Sequence, residues 1–385
     1  MMVRAATRFG LIVLVATAAT AGDGLRREGP FWVEVEKGSE PVAARSIIRV
    51  RTVGGVTIKG GEPGELTYVL TKRVKARDEA QARRLFREFH ARVSRRGEYT
   101  FVVVQTASGM ADFEIKAPRN SREIVVETRG GAVDASQFEG TVKAETGGGL
   151  VTLDQVAGAV VAKTAGGDIS LGKIGGDAHC ISGGGTIRAD SIHGEALFET
   201  AGGDITVQQV EGPVRCSTNG GAIRIVQAGN LVIADTGGGP IDVGYAKGMV
   251  TAKNSGGPIQ VGSSSGAACE SAGGAIRLTS VGGSLKASTA VGSIIARFQT
   301  QPVADSFLST GAGDITLWVP SNLKVTVRAQ NASYGGQRKI VTDFPAIVVK
   351  SAGSFTVAEG TINGGGPLVR IAGSGGMIYI RREEK

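Results

Sequence analysis

Aromatic side chains make up 5% of this 385-residue chain. That is too few for a core built on large rings, and a stacked core of Ile, Val, Leu, Ala and Cys fits instead. Only three histidines occur, His90, His179 and His193. They do not fall together in the register developed below, which argues against a zinc site. No glycine run leads into G-K-S or G-K-T, the pattern a phosphate-binding loop requires. One apolar run stands out, Phe9 to Ala19, and no second one follows. It is too short for a comfortable membrane span. With Arg4 and Arg8 before it and Ala19-Thr20-Ala21 at its end, it reads as a secretory signal peptide over residues 1–21. No cysteine sits at the cleavage point, so neither a lipoprotein anchor nor, after leader removal, a transmembrane span is expected.

What the chain has in excess is glycine, 60 residues, about twice the usual share. There is no collagen-like triplet, so the excess belongs to turns. The last residue of each Gly-Gly turn falls at Gly131, Gly149, Gly167, Gly185, Gly203, Gly221, Gly239, Gly257, Gly274 and Gly292, a spacing of 18 broken once by 17. Self-similarity at a fixed period marks a repeat architecture whose units bury their apolar faces only by stacking. Counting from that glycine, position plus two is an aliphatic column: Val151, Ile169, Ile187, Ile205, Ile223, Ile241, Ile259, Ile276, Ile294. Plus four (Leu153, Leu171, Ala189, Val207) and minus seven (Val142, Val160, Ala178, Ala196) are apolar too. Alternation with period two on both sides of the turn means short strands with one face inward. Position plus seven (Val156, Ile174, Ile192, Val210) suggests the start of a third short face.

Position minus three is a Ser/Thr row: Thr146, Thr164, Ser182, Thr200, Thr218, Thr236, then Asn254, Ser271 and Thr289. It shares the inward parity, and no base repeats beside it. It is therefore expected to satisfy turn amides and neighbouring rungs rather than to catalyse. Cys180, Cys216 and Cys269 all stand at minus five. They are two and three coils apart, about 10 Å or more at the strand spacing, too far for disulfides. Phe198 shares that column and is expected inside, between Cys180 and Cys216. Other 18-residue coils are excluded. Left-handed acyltransferase helices need an aliphatic residue six positions further on, where Gly175, His193 and Glu211 stand. Calcium-binding rolls need G-G-x-G-x-D every nine residues, whereas Asp168, Asp204 and Asp314 follow the turn in only some coils.

Residues 31–117 lack the repeat. Strand-like stretches lie at 31–36, 47–52, 65–75, 99–106 and 112–116. Between them Asp78 can cap a helix running to about Arg95, with Ala82, Leu85, Phe86, Phe89 and Val93 on one face. Arg83, Arg84, Arg87, Arg92 and Arg95 are expected on the other. Ile124, Val126 and Thr128 match the repeat before Gly131, so the stack is expected to start near Ile124 and to close with the last strand, before Arg381 to Lys385. The organisation read from the sequence is a signal peptide (1–21), an N-terminal strand/helix capping domain (22–120), a regular solenoid (121–297) and irregular closing coils (298–385). The fold class is all-β: a parallel β-solenoid of right-handed β-helix type, about 18 residues per coil, with a small α+β cap. Net charge is +8. In an exported protein that points to anionic lipid, or to a glycan or other anionic envelope polymer, rather than nucleic acid, with another envelope protein as the remaining partner.

The arrangement resembles the bacterial putative-adhesin family of β-strand-repeat proteins. The resemblance is carried by repeats such as GTVKAETGGGLVTL and GEALFETAGGDITV and by the closing segments GAGDITLWVP and LVRIAGSGGMIYI. It implies an exported β-solenoid and transfers no site residue. Chemistry-bearing motifs are weak. Gly262 to Gly266 satisfies G-x-S-x-G and Ser321 with Lys324 satisfies S-x-x-K, both without the strand-to-helix context these need. The sequence expectation is a non-enzymatic exported module for adhesion, binding or envelope scaffolding, with no cofactor. The alternatives are a carbohydrate-active β-helix enzyme and a periplasmic partner of an envelope signalling system. The surface residues marked for binding are Arg83, Arg84 and Arg87. Trp318, Tyr334 and Phe344 mark the irregular C-terminal coils as the other place for a site.

Overall fold

The computed structural model describes residues 24–106, 108–332 and 339–383. The expected leader and Tyr334 lie outside the described residues. Each coil crosses the molecule twice, with one strand before the glycine turn and one after it, as in Val160–Thr164 and Ile169–Ile174. Both strands pair in parallel with their counterparts one coil on: Val160 with Ala178, Thr164 with Ser182, Ile169 with Ile187, Ile174 with Ile192. Two parallel sheets result, a pre-turn sheet and a post-turn sheet, with the aliphatic columns between them. The solenoid has about 11 turns of roughly 18 residues, plus one helix and further strands at the N-terminus. The inward columns are buried along the stack; Ile169, Ile187, Ile205 and Ile223 are at most 1% exposed. Each such side chain contributes about 1.5–3 kcal/mol of burial energy.

The expected third face does not form. Val156, Ile174, Ile192 and Val210 are the last residues of the post-turn strands, and all are buried. After position plus four the strand turns two successive residues outward before the next points in. In the first two regular coils this is done by Gln137 and Gln155 at positive φ of 68° and 53°. The local irregularity restores inward parity, so one strand supplies what two short faces were expected to supply.

The turn is governed by backbone contact. A Cβ on Gly203 would sit 2.1 Å from the Gly185 carbonyl oxygen, and one on Gly185 2.1 Å from that of Gly167. None of the turn-closing glycines from Gly149 to Gly292 has a positive φ. They are required by the closeness of the neighbouring coil rather than by dihedral freedom. The preceding glycines, such as Gly184 and Gly202, would meet nothing within 4 Å. The minus-three hydroxyls fasten this contact. Thr200 Oγ1 donates to the Gly185 carbonyl at 2.8 Å and accepts from the Gly203 amide at 3.3 Å. Thr164, Ser182, Thr218 and Thr236 repeat both bonds. The aspartates after the turn add a third link. Asp168 and Asp204 each accept the backbone N–H of the equivalent residue one coil on, Thr186 at 2.7 Å and Ala222 at 2.8 Å. The bonds from Thr186 hold the Asp168 carboxyl below its usual range.

At both ends the coils are stacked out of chain order. The strands Ile47–Thr52 and Val56–Gly61 pair with Glu123–Thr128 and Val133–Phe138, matching Val50 to Val126, Thr52 to Thr128 and Val56 to Val133. On their other side lie Tyr99–Gln105 and Met110–Pro118. The stack therefore begins earlier than Ile124. Residues 48–58 carry the same inward pattern (Ile48, Val50, Thr52, Gly54, Val56, Ile58) with a turn one residue shorter, which takes them out of the 18-residue count. The last strands in sequence, Leu368–Gly373 and Ile378–Glu383, are not outermost either. They lie between the coil of Ser306–Thr310 and Ile315–Pro320 and the outer strands Val325–Ala332 and Ile340–Thr342.

Helix α1 spans Glu79–Arg87, with Asp78 capping it by accepting the Gln81 amide at 2.8 Å. It ends eight residues short of the expected Arg95, because His90–Arg96 is a strand antiparallel to Tyr99–Gln105. Val93 fits the helical stripe and, with Ala91, an alternating strand equally well, and pairing across the tight turn at Gly97 decides for the strand. Phe198 is fully buried, paired in register with Cys180 on one side and Cys216 on the other. Two small neighbours leave room for one ring. All three cysteines are free and buried, and burial pushes their thiols well above the usual range, Cys269 to about 12.

Two outcomes follow from this packing. Gly203→Ala forces a methyl against the Gly185 carbonyl and should lower stability by about 1–3 kcal/mol, whereas Gly202→Ala should leave the melting temperature nearly unchanged. Equal thermal shifts in the two variants would contradict the backbone-contact account. Thiol titration should find no fast-reacting cysteine in the native protein and three after unfolding in denaturant.

Candidate binding surface at the N-terminal end

One polar group interrupts the apolar core at this end. On the inward face of Glu65–Lys75, in line with Leu66 and Leu70, stands Lys72, 6% exposed. The paired strand Phe31–Pro41 places Glu34 and Glu36 against it, with ion-pair distances of 3.1 and 2.8 Å. Burial alone would lower the Lys72 ammonium's pKa, but the hydrogen bonds and charges of Glu36 and Glu34 together outweigh it and hold it above its ordinary 10.5. The Tyr68 hydroxyl donates to Glu36 at 3.4 Å and is pushed up to about 12, first by burial and then by that carboxylate. Gly38 leaves room for the ring, since a Cβ there would lie 2.5 Å from the Tyr68 oxygen.

Outside the core, a shallow groove of about 900 Å³ crosses the outer surface of the pre-turn sheet along its turn edge. It passes over six adjacent strands, from Tyr99–Gln105 through Ile47–Thr52 to Ala178–Ser182, about 24 Å at the strand spacing. Its lining includes Arg51, Gln105, Arg129, Glu145, Lys163 and Ile181. Arg51 is bound to Glu127 at 2.5 Å. The row is the outward minus-four row, whose sign changes from coil to coil. Beside the groove, on the same face, Tyr99 and Phe101 lie with ring centroids 6.0 Å apart and planes 19° from parallel. The Arg49 guanidinium sits 5.5 Å from the Tyr99 centroid. Sequence reading assigned no role to this aromatic pair. The available signal was the alternation Tyr99, Phe101, Val103 on a strand whose inward side is Thr100, Val102, Val104.

Arg83, Arg84 and Arg87 are exposed on α1, and none lines the groove. Arg83 is paired one turn back with Glu79 at 2.6 Å. Arg84 and Arg87 occupy the last turn, where the helix carbonyls favour cations. At the other end of the molecule, Trp318 is half-buried under the Arg297 guanidinium at 5.8 Å, and Phe344 is 5% exposed beneath Arg382. Phe344 thus packs into the core while Trp318 stays on the outer face. His193 faces Glu211 of the next coil at 3.7 Å. Ser264, the serine of the G-x-S-x-G match, is a buried strand residue with no helix after it. Among the described residues no group of three or more His, Cys, Asp and Glu side chains is placed to hold a metal ion.

Fold and surface together define a parallel two-sheet β-solenoid with an open polar groove. Residues 56–340 match the Toastrack DUF4097 family, and the chain belongs to it. No curated protein matches the sequence. Solved structures with similarity include a putative adhesin from Bacteroides fragilis, 11% identical, covering 91% of this chain and 97% of that one with a TM-score of 0.23. A putative adhesin from Parabacteroides distasonis is 11% identical over 74% of this chain and 97% of that one, TM-score 0.31. A putative lipid binding protein from the same organism is 9% identical over 90% and 96%, TM-score 0.21.

The Lys72 cluster gives a stability test. Lys72→Met leaves Glu34 and Glu36 facing one another and should cost about 1–2 kcal/mol at neutral pH. This is less than for a fully buried pair because both carboxylates keep some water. Because the folded pKa of Lys72 is raised, its contribution is complete below the ordinary value of 10.5 and is lost as pH rises through the folded value. The gap in melting temperature between wild type and variant should therefore narrow in strongly alkaline buffer. A gap that widens there would refute the assignment.

Proposed function

We propose that this protein is an exported, non-enzymatic β-solenoid that binds a glycan or anionic polymer of the cell envelope and serves there as an adhesion or scaffold module. The observation that carries the reading is the groove, which runs across successive coils instead of ending in a closed cavity. A ligand lying in it meets a new set of side chains at every strand, about 4.8 Å apart, which suits an extended chain better than a compact molecule. Export rests on the N-terminal pattern of Arg4, Arg8, Phe9–Ala19 and Ala19-Thr20-Ala21. Among the described residues no helix is long and apolar enough to cross a membrane.

Glu127 and Glu145 stand on adjacent strands of the groove and are the nearest thing to a hydrolytic pair. Glycoside hydrolysis needs one carboxylic acid kept protonated by a shielded environment. Here Glu127 is 40% exposed and salt-bridged to Arg51, an open position instead of a shielded one. The same geometry suits hydrogen bonds from sugar hydroxyls.

The mature chain, applied to an array of bacterial surface glycans and anionic envelope polymers, should bind at least one extended polymer. Obstructing the groove with Ala165→Trp, at an exposed turn residue of its lining, should abolish that binding. Replacing Arg83, Arg84 and Arg87 by Gln should weaken capture of anionic polymers at low salt and matter little at high salt. Release of new reducing ends from a bound glycan would replace this reading with the enzymatic one. Capture of an envelope protein with no polymer bound would replace it with the signalling-partner one.

A further inference from the structure

We propose that the outer face of the pre-turn sheet at its N-terminal edge, formed by Arg49, Arg92, Arg96, Tyr99 and Phe101, binds an acidic polysaccharide. Its carboxylates pair with the arginines while its sugar rings lie on the two aromatic rings. The inference rests on the polymer-binding reading and names the ligand class.

Three observations carry it. First, the strand pairing gathers these residues on one face. Arg92 lies opposite Val103, Ser94 opposite Phe101 and Arg96 opposite Tyr99, while Arg49 flanks Phe101 on the other side. The two rings are thus bordered by guanidinium groups from both neighbouring strands. Second, these arginines carry no ion pair. Arg51, Arg73, Arg83 and Arg122 are paired with Glu127, Asp112, Glu79 and Glu98. Arg49, Arg92 and Arg96 take part in none of the ion pairs among the described residues; Arg84, Arg87 and Arg129 at this end share that property but do not border the two rings. Unpaired cations beside a solvent-facing aromatic surface are complementary to a ligand with an apolar ring face and an anionic edge, and a uronic acid has both. Third, the face is continuous with the groove. Arg92, Val103 and Arg51 form one row across the sheet, and Arg51 opens the groove lining.

The groove also selects among anionic polymers. Glu127 and Glu145 line it, so a chain with a phosphate at every unit would meet carboxylates directly beyond the arginines. An acidic polysaccharide also carries charge, but it keeps hydroxyl donors on every unit and can turn these to Glu127 and Glu145 while its carboxylates meet Arg129 and Lys163. A DNA backbone has no such donors, so this lining favours acidic sugar over single-stranded DNA, whose bases could otherwise stack on the same rings.

The test uses the mature chain with polygalacturonate as probe, dextran as the neutral control and single-stranded DNA as competitor. Wild type should bind polygalacturonate in a salt-sensitive way and ignore dextran. The double substitution Arg92→Gln with Arg96→Gln lies on an exposed edge strand and should leave the melting temperature unchanged. It should weaken binding roughly tenfold, about 1.4 kcal/mol. Tyr99→Ser should weaken it at low and high salt alike, as loss of stacking requires. Unchanged affinity in the double variant, equal binding of dextran, or tighter binding of DNA would overturn the proposal. If glycans bind in the groove and respond to Ala165→Trp but not to the arginine changes, this inference alone falls. If no polymer binds at all, the broader reading falls with it.

Discussion

The structure depends on one close contact, the packing of each turn-closing glycine directly on the carbonyl of its predecessor one coil earlier. At about 2 Å from a would-be Cβ to that oxygen, no other residue fits without moving the coils apart. That contact keeps the corner as tight as the strand spacing, so the parallel ladders run on either side of it without a break. The minus-three hydroxyl then serves two coils at once, accepting from its own turn and donating to the one before. Each of these bonds contributes about 1 kcal/mol net. Their larger role is to pair the closing-glycine amide and the carbonyl of the preceding coil's glycine where the chain bends against the core. Asn254 shows the limits of substitution in this row. Its amide reaches the Gly239 and Gly257 carbonyls at 3.3 and 2.6 Å, but its own buried oxygen has no partner.

Such a ladder has no intrinsic end, and an open parallel stack would expose two sheet edges ready to pair with other chains. The molecule ends it by leaving chain order. At the N-terminus the antiparallel strands Phe31–Pro41 and His90–Arg96 extend the two sheets, α1 packs over the interior, and Lys72 with its two glutamates interrupts the apolar core there. At the C-terminus the outer coil is braced by the antiparallel strands Phe355–Ile362 and Ile347–Ala352. Only in these end segments are outward residues free of the periodic alternation of the regular coils. The unpaired arginines and the stacked aromatic pair are found there. The groove links that end to the regular face, so a polymer held at the cap continues over the coils.

Much of the fold was legible because the inward positions repeat. The columns at plus two, plus four, minus five and minus seven, the role of the Thr146 to Thr289 row, the free cysteines and the buried Phe198 all follow from parity and an 18-residue count. Little of the surface was legible. Arg83, Arg84 and Arg87 were visible as a basic cluster, but Tyr99 and Phe101 gain meaning only when His90–Arg96 lies beside them. In that strand Val93 falls at helical spacing from Phe86 and Phe89, which hides the strand in the sequence.

By itself the sequence determined the coil: its length, its inward residues, its turn chemistry and its repetition, since each of these is decided by neighbours within one period. The tertiary structure alone decided which coil stacks on which. The order at the two ends, the merging of the third face into the post-turn strand and the meeting of three unpaired arginines around two rings arise from pairing between segments far apart in the chain. Ile47–Thr52 could in principle pair with any strand of the same pattern. Its neighbours are chosen by how the excursion through α1 returns the chain, and a local repeat carries no record of that return.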